Sequence, residues 1–264
     1  MRIHFLGATR TTTGSMYLFE VNGKRLLLEC GLFQGHREES VRRNCCFPFE
    51  PKQIDAAVLS HAHIDHSGNL PNLVKQGYDG PIHCTNATRD LCGIMLIDSA
   101  HIQEQDALFV SKWRAKKHQP PVEPLYHLAD AEKAVKQLVP HGYDQLVPVV
   151  DGVNVTFRDA GHILGSAQVV LDFQEKGRKF RWLFSGDVGR GGDEILPTQR
   201  WWKTWIISRS NPPMADANTP SAPTPTRPSA GSLAKHSTKR AGSSSHPFPS
   251  DARSKLFMCC TKSP

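Results

Sequence analysis

Residues 56–66 read AAVLSHAHIDH, an apolar run that passes without transition into three histidines and an aspartate within six positions. A short apolar run of small and branched residues, bounded this abruptly, reads as a buried β-strand. Such a strand constrains the architecture, because in α/β folds polar motifs that follow strand ends are where ligand sites gather.

The surrounding sequence fits an α/β chain. MRIHFLGA, MYLFEV and KRLLLEC read as strands, and Asn22-Gly23 between the last two is a strong hairpin signal. NLPNLVKQGYDG suggests a short helix closed by glycine. Thr85 is placed to cap a long helix through ATRDLCGIMLIDSAHIQEQDALF, where Leu91, Met95 and Ile102 fall near helical spacing. ADAEKAVKQL is a further helix, and VNVTF, AQVVLDF and FRWLF are strands.

The chemistry follows from residue types and spacing. On an extended or loop segment alternate side chains point the same way, so His61 and His63 can reach one ion together. Asp65 and His66 fall on the next turn, close enough for a second ion. Imidazole nitrogen and carboxylate oxygen suit zinc, with manganese or iron as competitors. DAGHILGSA puts His162 in a glycine-flanked loop between two strands, and FSGDVGR puts Asp187 just after another. Taken alone, His162 could equally be an ordinary loop residue and Asp187 a turn-forming one.

Charge and cysteines bound the function. Residues 1–200 hold 23 Lys+Arg and 23 Asp+Glu, and residues 201–264 hold 9 and 2, so the net charge of +7 (9 − 2) lies in the last quarter of the chain. The body is electrically balanced, and its basic pI is no argument for a nucleic-acid groove. Seven cysteines without a CxxC pair argue against a disulfide framework or a structural zinc ribbon. A reducing, cytoplasmic setting is expected. No run approaches a membrane span and the N-terminus lacks an apolar signal region, so a soluble protein is expected. Cys30, Cys84 and Cys92 read as small buried residues rather than ligands.

HAHIDH, GHILGSA and SGD, in that order, resemble the metallo-β-lactamase superfamily. LLLECGLFQG, HSGNLPNLVKQGYDGPIHCTNAT with LIDSAHIQ, and AGHILGSAQVVLDF with FSGDVGR resemble more narrowly its β-CASP branch, over roughly residues 1–197. The resemblance implies an αββα sandwich, of which this chain holds the N-terminal part. It also implies that His61, His63 and His162 hold one metal, Asp65 and His66 a second, and that Asp187 bridges them. The two ions would be zinc in this family. Catalytic roles fall to Asp65 and Asp187, in hydrolysis of RNA phosphodiester bonds. Glu29 stands where the branch usually has aspartate, with an expected role in orienting a ligand. Asp98 and Ser99 are expected to serve helix packing. The alternatives are a thioester or lactam hydrolase of the same fold, or an inactive metal-binding fragment.

Residues 1–200 are therefore expected to form an incomplete catalytic domain. Residues 201–264, rich in Ser, Pro and Thr and basic overall, read as a disordered tail. The family's further acid and histidines have no counterpart there, so the second metal site is expected to be incomplete and activity impaired. Relatives continue with a segment like VEDVDYLIIESTYG. Trp201 to Ile206 back-translates as TGG TGG AAR ACN TGG ATH, which read from each third base encodes Val, Glu, Asp or Asn, an NTG residue and Asp. The same shift through Ser210 to Ala215 permits Glu, Ser or Pro, Thr, Tyr and Gly. The tail thus reads as an out-of-frame translation of a β-CASP coding region. Its rival is a genuine basic tail that contacts nucleic acid by counterion release.

Overall fold

The computed structural model describes residues 1–9 and 11–189, so the expectations for residues 201–264 lie outside the described residues. Strands β1 (Arg2–Phe5), β2 (Tyr17–Val21) and β3 (Lys24–Leu28) pair antiparallel. The β2–β3 hairpin turns on Asn22 and Gly23 at φ 52° and 77°. Two consecutive positive φ angles are what this dipeptide accommodates and what the twist of a tight hairpin needs.

From β3 onward the sheet becomes parallel through β4 (Ala56–Val58), β5 (Ile82–Thr85) and β6 (Leu138–His141), in spatial order β1-β2-β3-β4-β5-β6. Parallel neighbours require crossovers long enough to return the chain. After α1 (Arg37–Asn44), the crossovers are α2 (Ile64–Ser67) with α3 (Leu70–Lys75), and then α4 (Asn86–Ala115) with α5 (Leu128–Lys136). A second, antiparallel sheet follows from β7 (Val147–Val150), β8 (Val153–Asp159), β9 (Ala167–Glu175) and β10 (Arg178–Phe184).

Strand periodicity explains the layering. In β3, Leu27 faces the helices with Leu18, Ala57, Ile82, Leu73, Leu96 and Tyr126, while Leu26 and Leu28 face the second sheet with Phe19, Val58, Val155, Phe157, Val169 and Leu171. Both central strands are buried on both faces, which is why LLL and AAV are unbroken apolar runs and not alternating ones. The layers run helices, sheet, sheet. Among the described residues helices cover the first sheet only, so three layers of the expected αββα sandwich are described. No helix among the described residues is long and apolar enough to cross a membrane.

The long helix begins where the sequence places it: Thr85 is the N-cap, and its hydroxyl accepts from the Thr88 backbone N–H at 3.3 Å. Strands β5, β6 and β7 and helix α1 have no strong sequence signal. IHCT is four buried residues beside a proline, and α1 buries only Asn44, so it carries no apolar stripe.

Candidate metal centre

Strand β4 ends at Val58, and the chain delivers Leu59 and Ser60 to the sheet's C-terminal edge before turning into α2. His63 caps α2, its carbonyl accepting from the N–H groups of His66 and Ser67 at 2.9 Å. That turn separates His61 and His63 from Asp65 and His66 while keeping all four at one edge. The loop after β3 clasps α2 from the side: Cys30 N–H donates to His66 O at 2.8 Å, Leu32 N–H to Ile64 O at 3.0 Å, and Ser15 N–H to Asp65 O at 2.9 Å. Gly31 is required here, since a Cβ would lie 1.6 Å from Asp65 O.

His162 arrives from the second sheet, in the β8–β9 loop. Ser166 Oγ accepts from the backbone N–H of His162 (3.0 Å) and Ile163 (3.2 Å), rigidifying the loop. Thr85 and Thr88 then latch it to the start of α4, their hydroxyls donating to Gly165 O at 2.6 and 2.9 Å. Ala167 N–H donates to Ser60 O (2.9 Å), joining the sheets beside the site, and Gly189 N–H donates to Ala160 O (3.0 Å), tying the segment after Asp187 to the same loop.

These elements bring four of the expected residues together: His61, His63, His162 and Asp187 each offer a ligand atom, all within 4.8 Å of one another. His63 Nδ1 stands 3.2 Å from both His61 Nε2 and His162 Nε2. Asp187 Oδ2 is 3.4 Å from His162 Nε2 and 3.8 Å from His61 Nε2. The other carboxylate oxygen of Asp187 lies 3.5 Å from His66 Nε2, which is also 3.8 Å from Asp65 Oδ2. Asp187 therefore faces both histidine groups.

Glu29 and Ser60 set the tautomers. Glu29 is buried and adopts a left-handed backbone at φ 64°, unusual for a side chain without a local hydrogen-bonding reason. Its Oε1 accepts from Ser60 N–H at 2.6 Å, and its Oε2 accepts from Ser60 Oγ–H at 2.9 Å and from His66 Nδ1–H. Ser60 Oγ in turn accepts a hydrogen bond from His61 Nδ1–H at 2.9 Å. With Nδ1 of His61 and His66 both committed as donors, their Nε2 lone pairs face the cluster. Glu29, His61 and His66 also lie close enough to count as a ligand group. We read Glu29 as the orienting residue, since its two oxygens already accept three hydrogen bonds.

Electrostatics favour the neutral form of His61 and His63. Burial first, then His66, His63 and His162, push His61 down to about 2, and burial with His162 lowers His63 although Asp65 and Asp187 oppose it. Burial works against charging His66 too, but the Glu29 bond and the charges of Glu29, Asp65 and Asp187 outweigh it and raise its pKa. Ring nitrogens gathered this closely beside the Asp65 and Asp187 carboxylates form a donor set that fits a cation. The Asp187 side chain is 46% exposed against 1% for His61, so the cluster opens towards Asp187.

Ser60, Thr88 and the Gly165 latch were not legible, because each acts through a contact far away in sequence. Ser99 serves packing as expected, its hydroxyl 2.8 Å from Tyr126 Oη. Asp98 is exposed, and Cys30, Cys84 and Cys92 are fully buried.

The sequence matches the Metallo-beta-lactamase superfamily over residues 9–220. It is 37% identical to "Ribonuclease TTHA0252" of Thermus thermophilus over 82% of this chain and 42% of that protein. It is 32% identical to "Transcription termination factor FttA" of Methanococcus maripaludis over 63% of this chain and 24% of that protein. The chain thus spans less than half the length of these curated relatives. Among solved structures it is similar to "Rm3 metallo-beta-lactamase", at 15% identity and TM-score 0.43, over 73% of this chain and 62% of that one. The chain belongs to the metallo-beta-lactamase superfamily.

Proposed function

We propose that the chain carries the catalytic half of a zinc-dependent phosphodiesterase of β-CASP type that cleaves RNA in a reducing, cytoplasmic setting. The observation that carries the metal reading is spacing. Ligand atoms about 2.0–2.1 Å from a tetrahedral zinc stand roughly 3.3 Å apart; the His61–His63, His63–His162 and His162–Asp187 distances are 3.2, 3.2 and 3.4 Å, with His61–Asp187 wider at 3.8 Å. His61, His63, His162 and Asp187 would hold one ion, and Asp65, His66 and Asp187 a second. The RNA reading is supported by the relative named a ribonuclease.

Bound there, the ions would polarise a phosphoryl oxygen and lower the pKa of a water so that hydroxide exists near neutrality. The chain's own groups do the rest. Asp65, half-buried beside His66, accepts the proton that the attacking water loses. Asp187 divides its two oxygens between the histidine groups, and its exposure leaves the scissile phosphate an approach from solvent. Glu29 and Ser60 hold His61 and His66 so that neither ring rotates as charge develops. With three protein ligands in the second group, turnover should fall below that of a relative carrying the family's further histidine.

The test is metal content together with cleavage of an end-labelled RNA, run beside a thioester and a lactam. Bound zinc and RNA cleavage that a chelator or His63→Ala abolishes would support the reading. A metal-loaded chain that leaves RNA intact, or turns over the thioester or lactam instead, would overturn it.

A further inference from the structure

Outside the cluster, the end of α1 holds an arrangement that the hydrolase reading does not use. Cys45 and Cys46 are neighbours in sequence, Cys45 half-buried and Cys46 exposed, with their Sγ atoms 3.1 Å apart. The backbone that carries them is pinned on both sides. Asn44 is buried and ties to the loop after β3: its Oδ1 accepts from Phe33 N–H at 2.8 Å, and its Nδ2 donates to Phe33 O at 2.9 Å. Asn44 O accepts from Asn72 Nδ2 (2.8 Å) and Asn69 Nδ2 (3.3 Å), and Cys45 O accepts from Gln76 Nε2 at 2.9 Å. Helix α3 and the residues flanking its two ends therefore grip the segment through three amides, and the two sulfurs are held together at the surface without having to search for each other.

We propose that Cys45 and Cys46 form a two-sulfur site for a thiophilic, trivalent arsenical. A structural zinc needs four protein ligands, twice what two adjacent cysteines supply. An arsenical that carries one organic substituent needs only two sulfurs. Closure to a disulfide is opposed by geometry: Cα atoms of adjacent residues are about 3.8 Å apart, short of the roughly 4.4–6.8 Å that unstrained disulfides span. The chelate carries no such restriction, because the arsenic sits between the sulfurs.

The reaction balances without an oxidant. Phenylarsine oxide forms two As–S bonds, the two thiol protons leave with the As=O oxygen as one water, and arsenic stays trivalent. Competing thiols are disfavoured. Burial pushes Cys84 up, Cys92 up to about 12 and Cys30 well above its ordinary value, and all three are fully buried. Cys259 and Cys260 are a second adjacent pair, outside the described residues.

The experiment uses the full chain, reduced, with Cys259→Ser and Cys260→Ser to remove that second pair. Intact mass after phenylarsine oxide should show one adduct per chain, retained against glutathione, released by dithiothreitol, and mapped to the peptide holding both cysteines. Removing one of two linked contacts typically costs a hundredfold or more, so Cys45→Ser and Cys46→Ser should each weaken retention by about that factor. In the chain that keeps both cysteines, the arsenical should also protect them from iodoacetamide, which tests the site even if a serine variant folds poorly. Equal retention by the single variants, an adduct on Cys30, Cys84 or Cys92, or alkylation unaffected by the arsenical would overturn the proposal.

Discussion

Replacing Glu29 by alanine should damage both the fold and the metal cluster, by amounts that the contacts allow one to estimate. The carboxylate accepts Ser60 N–H, Ser60 Oγ–H and His66 Nδ1–H, and both donor residues are buried. Alanine removes the acceptor of all three hydrogen bonds. A buried donor left unmet costs about 1–3 kcal/mol. The Ser60 hydroxyl can rotate towards another acceptor, so two donors remain stranded and the loss is about 2–6 kcal/mol. Alanine does not relieve the backbone, because φ 64° strains any residue with a Cβ. At roughly 2–4 °C per kcal/mol for a chain of this size, the midpoint of thermal unfolding should fall by about 4–24 °C. Loss of a residue that orients metal-bound histidines lowers metal affinity by about 10–100-fold. Glu29→Gln separates the two effects. Its amide keeps the shape but presents an N–H₂ to a donor, so most stability should survive while affinity still drops. Urea unfolding in chelator gives the first quantity and zinc titration against a competing chelator the second. A Glu29→Ala chain within about 0.5 kcal/mol of the parent, the usual range for innocuous surface changes, would refute the role assigned to this carboxylate.

Thr85→Val removes a cap and one of the two hydroxyls on Gly165 O, and should cost about 1–3 kcal/mol, with Thr88→Val costing about 1; urea midpoints check both, and metal affinity should fall in the same order. Burial first, then charge repulsion from His141, whose Nε2 is 2.9 Å from His83 Nδ1, lowers the His83 pKa to about 4. The unfolded chain therefore takes up its proton first, near 6.5, so this contribution is whole above pH 6.5 and is lost as pH falls towards 4. The loss should reach about 2 kcal/mol at pH 5, and His83→Leu should flatten that part of the urea stability profile against pH. Sequencing the coding DNA around codons 195–215 should show an open β-CASP reading in the shifted frame; a frame interrupted by stops would remove that account of the tail.

Much of the site was legible because its residues sit in short, dense motifs at strand ends. HAHIDH declares itself locally, His162 in GHILGSA and Asp187 in SGD gain their meaning only beside it, and Thr85 caps α4 as expected. What was not legible depends on contacts across the fold. Ser60 looks like the last residue of an apolar run until Glu29, 31 positions earlier, is seen accepting its N–H and O–H. Strands β5 and β6 escape notice for a different reason: parallel strands buried among helices need only four residues each, too few for periodicity to separate from a loop. Helix α1 is amphipathic in no useful sense, and its place is set by Asn44 and not by an apolar face.

The cluster draws on residues 61–66, 162 and 187, and the latter two arrive only with the second sheet. A nascent chain can therefore complete the first sheet and its helices and still own no site. Capture of a cation by His61, His63, His162 and Asp187 together requires that β8, β9 and β10 have paired and docked. The metal then rewards only the finished arrangement, since an ion that binds the folded form and not the open one shifts the balance towards it. Zinc uptake measured on chains released at increasing length would date the moment at which the two sheets close on each other.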